Sequence, residues 1–112
     1  MQEAFRKEIE TTLRESRAEW EKRLQAIQAD RRRRGGALEQ DFEEQAVQRE
    51  NDDTLDALDT RGRQELREID AALDRLSKGS FGRCGKCGKT ISNDRLRAEP
   101  TAETCVSCAT RA

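Results

Sequence analysis

The chain has 112 residues, of which 40% are charged, 33% hydrophobic and only 4% aromatic, with a formal net charge of −1. That is too polar for an ordinary globular core, yet the apolar residues recur too regularly for a disordered chain. No apolar run approaches the roughly 20 residues of a membrane span, and a general nucleic-acid binder would carry a net basic surface that this chain lacks.

The N-terminus, MQEAFRKEIE, is charged and has no apolar signal-peptide core, so a cytoplasmic location is expected. Residues 1–77 read as an antiparallel helical hairpin of coiled-coil type. In its first helix Phe5, Ile9, Leu13, Trp20, Leu24 and Ile27 follow an a/d seam, with Ser16 filling the gap. In its second, Leu55, Leu58, Gly62, Leu66, Ile69, Leu73 and Leu76 do the same. Between them Gly35 and Gly36 mark a helix stop and a turn, and a short connection makes the helices antiparallel neighbours. Pairing Phe5 with Leu73, Ile9 with Ile69 and Leu13 with Leu66 sets a register. It places Ser16 opposite Gly62, where the missing side chain leaves room for Trp20, read as core. A helix of about 32 residues would run roughly 48 Å.

Two local features sit near the turn. Arg31 to Arg34 form a basic run, which the helix dipole favours at a C-terminus. Asp41 and Glu44 have the spacing of an N-cap and its N3 partner at the start of the second helix. They also make the end of the hairpin acidic, within 34–46.

Residues 78–112 form the second domain. Cys84, Cys87, Cys105 and Cys108 are all the cysteines of the chain, in two CxxC pairs. That spacing predicts one structural zinc ion bound by four thiolates. Gly85 and Gly88 are read as giving the backbone room for the turns. Four cysteines leave no position for water, and there is no histidine, so no enzyme is expected. Phe81, Ile91 and Leu96 are expected to pack this domain, and Ala109 to Ala112 to form at most one turn of a terminal helix. The fold class is therefore mainly α: a long hairpin, a small four-cysteine zinc finger and a short terminal helix.

The stretch from Gly79 through Cys84, Cys87 and Ile91, then Arg95-Leu96, Ala98, Pro100-Thr-Ala102, Cys105 and Cys108, resembles the DksA/TraR zinc-finger family. The resemblance implies a cytoplasmic, monomeric regulator that binds bacterial RNA polymerase. Its hairpin enters the secondary channel and alters initiation without sequence-specific DNA contacts. The family's tip motif, Asp-x-x-Asp-x-Ala, is matched by Asp41, Glu44 and Ala46, with glutamate as the second acid. Arg61 matches a basic position of the second helix and is a polymerase-binding candidate. The basic positions associated with guanosine tetraphosphate fall on Glu68, Glu99 and Ala109, so no nucleotide site is expected there. Two other functions fit a four-cysteine module: a zinc-ribbon nucleic-acid binder, and a thiol or zinc redox-sensing adaptor.

Overall fold

A computed structural model of the chain describes the backbone of residues 2–35 and 42–110, and the side chains of 2–32 and 53–110. Among the described residues four helices follow one another: α1 (Glu3–Gly35), α2 (Phe42–Lys78), α3 (Asn93–Ala98) and α4 (Val106–Thr110). Among the described residues the extended structure amounts to one antiparallel bridge, Arg83 to Thr90. The chain folds as two compact units, one of residues 1–17 and 67–112 and one of residues 18–66.

In the first unit the start of α1 packs on the end of α2. Phe5, Ile9 and Leu13 are buried from α1, and Ile69, Ala72 and Leu76 from α2. The helices run antiparallel: Arg6 donates to the Leu76 carbonyl at 3.3 Å, and Arg17 pairs with Asp70 at 2.7 Å. The seam of α1 lies where its periodicity puts it. That of α2 is shifted, because fully buried Ala72 takes the place expected of Leu73, which is half-buried. A run with alanine and leucine at adjacent positions offers two stripes, and the helix turns its narrower side inwards.

In the second unit Ile27 is buried, while Trp20, Leu24, Leu55 and Leu66 are half-buried and Leu58 is exposed. Gly62 faces α1. A Cβ there would come 2.9 Å from Leu24 and 3.0 Å from Trp20. Gly62 does make room for Trp20, as expected, but it lies opposite Trp20 and Leu24 rather than Ser16. The observed register is displaced by about one helical turn of roughly four residues. Trp20 is not fully core either: the Arg23 and Arg61 guanidinium groups lie 5.1 Å and 5.8 Å from its ring centre. A half-buried indole with two cations over it satisfies its apolar body and its polarised face together. Arg31 pairs with Asp56 across the same unit.

α2 is stopped by Gly79, the residue after its end, whose φ of +79° only glycine adopts without strain. The amides of Ser80 and Phe81 then return to the Arg75 carbonyl at 3.0 and 3.2 Å, closing the C-terminal carbonyls that a helix end leaves open. The chain enters the cysteine module from there. Phe81, Ile91 and Leu96 are its buried apolar residues, as expected. α3 is an element the periodicity reading missed. Ser92 caps it, its hydroxyl accepting from the Arg95 amide at 3.2 Å. α3 is fastened to the start of α1 by Arg97, which pairs with Glu8 at 3.2 Å and lies 5.1 Å from the centre of the Phe5 ring.

Candidate metal centre

Each cysteine pair is presented by a hydrogen-bonded scaffold. Cys84 and Cys87 sit on a loop whose ends are tied together. The Cys84 amide donates to the Lys89 carbonyl at 2.8 Å, and the Ile91 amide to the Gly82 carbonyl at 2.8 Å. Inside the loop the Gly88 amide returns to the Cys84 carbonyl at 2.9 Å. Gly88 has φ of +74°, so its glycine is required. Gly85 is not: its φ is ordinary, and a Cβ there would meet only the Glu103 carbonyl at 3.6 Å. The reading that both glycines free the turns holds for Gly88 alone.

The second pair stands at the entry of α4, where the Ala109 amide donates to the Cys105 carbonyl at 2.9 Å. α4 begins at Val106 and so carries Cys108 itself, one turn earlier than the terminal helix expected after it. The first loop is bonded to the approach of the second pair through the Gly85 amide and the Glu103 carbonyl at 2.9 Å, and α3 holds the same approach through Arg95 Nε and the Thr104 carbonyl at 2.7 Å.

The result is one cluster. The four Sγ atoms lie within 4.8 Å of one another, and those of Cys87 and Cys105 are 3.8 Å apart. Four sulfurs about 2.3 Å from a tetrahedral zinc stand about 3.8 Å from one another, so the donor set fits zinc in both chemistry and size. All four thiols are free of disulfides. Cys84 and Cys108 are buried, Cys105 is half-buried and Cys87 is exposed.

The electrostatics also call for a cation. Backbone amides of Cys105, then Cys87, hold the Cys84 thiol down to about 5. The Cys108 amide, above all, lowers Cys105. Cys108 is pushed up to about 12, first by its hydrogen bond with Cys105 and next by that with Cys84. Without a cation the cluster keeps a proton on Cys108, because that sulfur has anionic neighbours. A divalent ion at the centre removes the conflict and locks the two loops to each other.

The other expected site residues are not gathered here. Asp41 lies outside the described residues, and so do the side chains of Glu44 and Ala46, whose backbone belongs to α2. Arg61 is exposed, over the Trp20 ring. Glu99 is exposed and pairs with Arg95 at 3.5 Å, and Ala109 is exposed on α4.

Sequence comparison matches residues 9–76 to the DnaK suppressor protein-like N-terminal domain and residues 79–112 to the prokaryotic dksA/traR C4-type zinc finger. The chain belongs to the DksA/TraR family. As a family member it is similar to the transcription factor DksA2 from Pseudomonas aeruginosa. The two are 29% identical, with a TM-score of 0.87 over 99% of this chain and 84% of that one. It is also similar to a DnaK suppressor protein from Agrobacterium tumefaciens C58, at 42% identity and a TM-score of 0.62, over 95% of this chain and 92% of that one. Among proteins of curated function none matches the chain. The DksA/TraR zinc finger is a four-cysteine module, and the four cysteines here are positioned to bind one metal ion.

Proposed function

We propose that the protein is a DksA-like transcription regulator that acts on bacterial RNA polymerase through the secondary channel. The observation that carries this reading is the family match to both halves of the chain, 9–76 and 79–112. A similar solved protein described as a transcription factor supports it. In this account the helical pair delivers the acidic residues Asp41 and Glu44, with Ala46, to the catalytic centre or its mobile elements. A carboxylate there perturbs the field around the catalytic magnesium and its neighbouring loops. Arg61 contributes affinity from the flank of α2. The zinc finger is a structural base, and the protein performs no catalysis of its own.

The protein works as a cytoplasmic monomer; no described helix is long and apolar enough to cross a membrane. Guanosine tetraphosphate finds no basic site on it, because Glu68, Glu99 and Ala109 stand at the positions that would supply one. The test is a pull-down with RNA polymerase core enzyme, joined to transcription assays of Asp41→Asn and Glu44→Gln. Both variants are expected to bind normally and to lose regulation. Full regulation by both would show that these acids only cap α2, and failure of the wild-type protein to bind core enzyme would remove the reading altogether.

A further inference from the structure

α2 carries a leucine that the helical pair does not bury. The periodicity puts Leu58 in the seam, yet it is 40% exposed. It stands at an apolar groove within the second unit, lined by Trp20, Arg23, Ala26 and Ile27 of α1 and by Leu58 of α2. The groove encloses about 230 Å³. Its wall atoms lack packing partners on one side, so an apolar group that fills it gains contacts and removes apolar surface from water. The rim is cationic. The Arg23 guanidinium lies 5.1 Å from the centre of the Trp20 ring, and that of Arg61 5.8 Å. Arg23 pairs with Glu19 at 3.3 Å. Arg61 meets no carboxylate among the described residues.

Size and charge select the occupant. The groove is smaller than the roughly 300 Å³ at which small-molecule pockets begin, and it has room for one large side chain but not for a helix. A second copy of the chain fits poorly. A stable dimer buries about 800 Å² on each partner, and a two-fold contact uses the same patch twice, which would set Arg61 against its own equivalent. A protein that presents an apolar side chain beside a carboxylate satisfies both walls and rim: the side chain fills the groove and the carboxylate meets Arg61. A few anchors seated in pockets in this way carry most of the energy of an interface. We propose that the groove between Trp20 and Leu58 is an anchor site for a partner protein, taking one leucine-sized or phenylalanine-sized side chain, with Arg61 holding a carboxylate next to it. For the identity of that partner the proposal rests on the polymerase reading, to which it adds a source of affinity separate from the acidic residues Asp41 and Glu44.

The experiment is equilibrium binding of the zinc-loaded full chain, labelled with a fluorophore at its N-terminus, to RNA polymerase core enzyme. Leu58→Gln removes one wall of the groove and keeps a good helix former; it is expected to weaken binding about tenfold. Ala26→Leu fills the groove from α1, again with a strong helix former, and is expected to weaken binding by a similar factor. The added leucine would tighten binding to a surface that was merely sticky, so the direction of this change is diagnostic. Leu58 and Ala26 are both exposed, and thermal unfolding of the two variants is expected to stay close to that of the wild type, which separates lost binding from lost fold. Unchanged affinity in Leu58→Gln, or unchanged or tighter affinity in Ala26→Leu, overturns the proposal and leaves the polymerase reading standing, because the wild type binds. A wild-type chain that does not bind core enzyme overturns both.

Discussion

Cys108 carries the strongest demand in the molecule. Its thiol is pushed up to about 12 by Cys105 and Cys84, while backbone amides hold Cys84 down to about 5. Zinc binds thiolates, so loading the site at neutral pH must expel the Cys108 proton. Protons compete with the metal, hence affinity rises with pH and acid releases the ion. Zinc titration by calorimetry near pH 7, in buffers of different ionisation enthalpy, is expected to show at least about one proton released per zinc. Binding with no proton release would mean that the sulfurs are already ionised. The four ligands were legible from spacing alone, because a two-residue gap on a turn fixes where both sulfurs point. Their unequal protonation was not legible, since it depends on which amides the folded loops aim at each sulfur. Gly85 shows the same limit: its type suggested that the turn needs the room glycine gives, whereas its conformation is ordinary.

At the scale of elements, the seam of α1 could be read from periodicity, and that of α2 only in part. Ala72 and Leu73 both continue a heptad stripe, and the pairing with α1 chose the smaller residue. Gly62 marks where the helices meet, and it makes the register testable. Gly62→Ala gains about 1 kcal/mol of helix propensity. Its new methyl meets the flexible end of Leu24 and the edge of Trp20, so chemical denaturation is expected to change by less than about 1 kcal/mol. Gly62→Leu has no such space and is expected to lose about 1–3 kcal/mol. A harmless leucine would show that α2 does not approach Trp20 and Leu24 here. α3 escaped periodicity because six residues hold too few apolar positions to show a stripe. Its signal was Ser92 ahead of Asn93, Asp94 and Leu96, a cap followed by an acid and an apolar residue. Ser92→Ala is expected to cost about 1 kcal/mol, seen in amide-exchange protection around Arg95 and Leu96. Unchanged protection there would show that the cap contributes nothing.

For the whole molecule, composition shows which part depends on metal. α1 and α2 hold 33 and 37 residues, against 6 and 5 for α3 and α4. Beyond Gly79 the buried apolar side chains are few: Phe81, Ile91 and Leu96 beside two of the cysteines. So small a core needs a staple. Chelating zinc from reduced protein is expected to abolish amide protection across 79–110 while far-UV circular dichroism falls only slightly. A finger that stays protected without metal would contradict the structural role of zinc. The family could be read from the sequence because its motif is dense in cysteine and glycine, whose roles are positional. The proposed action of Asp41 and Glu44 could not, since it would depend on a partner's surface. Its most direct test is a photoreactive residue in place of Glu44, cross-linked to RNA polymerase core enzyme and mapped by mass spectrometry. Adducts on the walls of the secondary channel and the loops beside the catalytic magnesium are expected. Adducts confined to the outer surface of the polymerase, from a protein that binds it, would contradict the account.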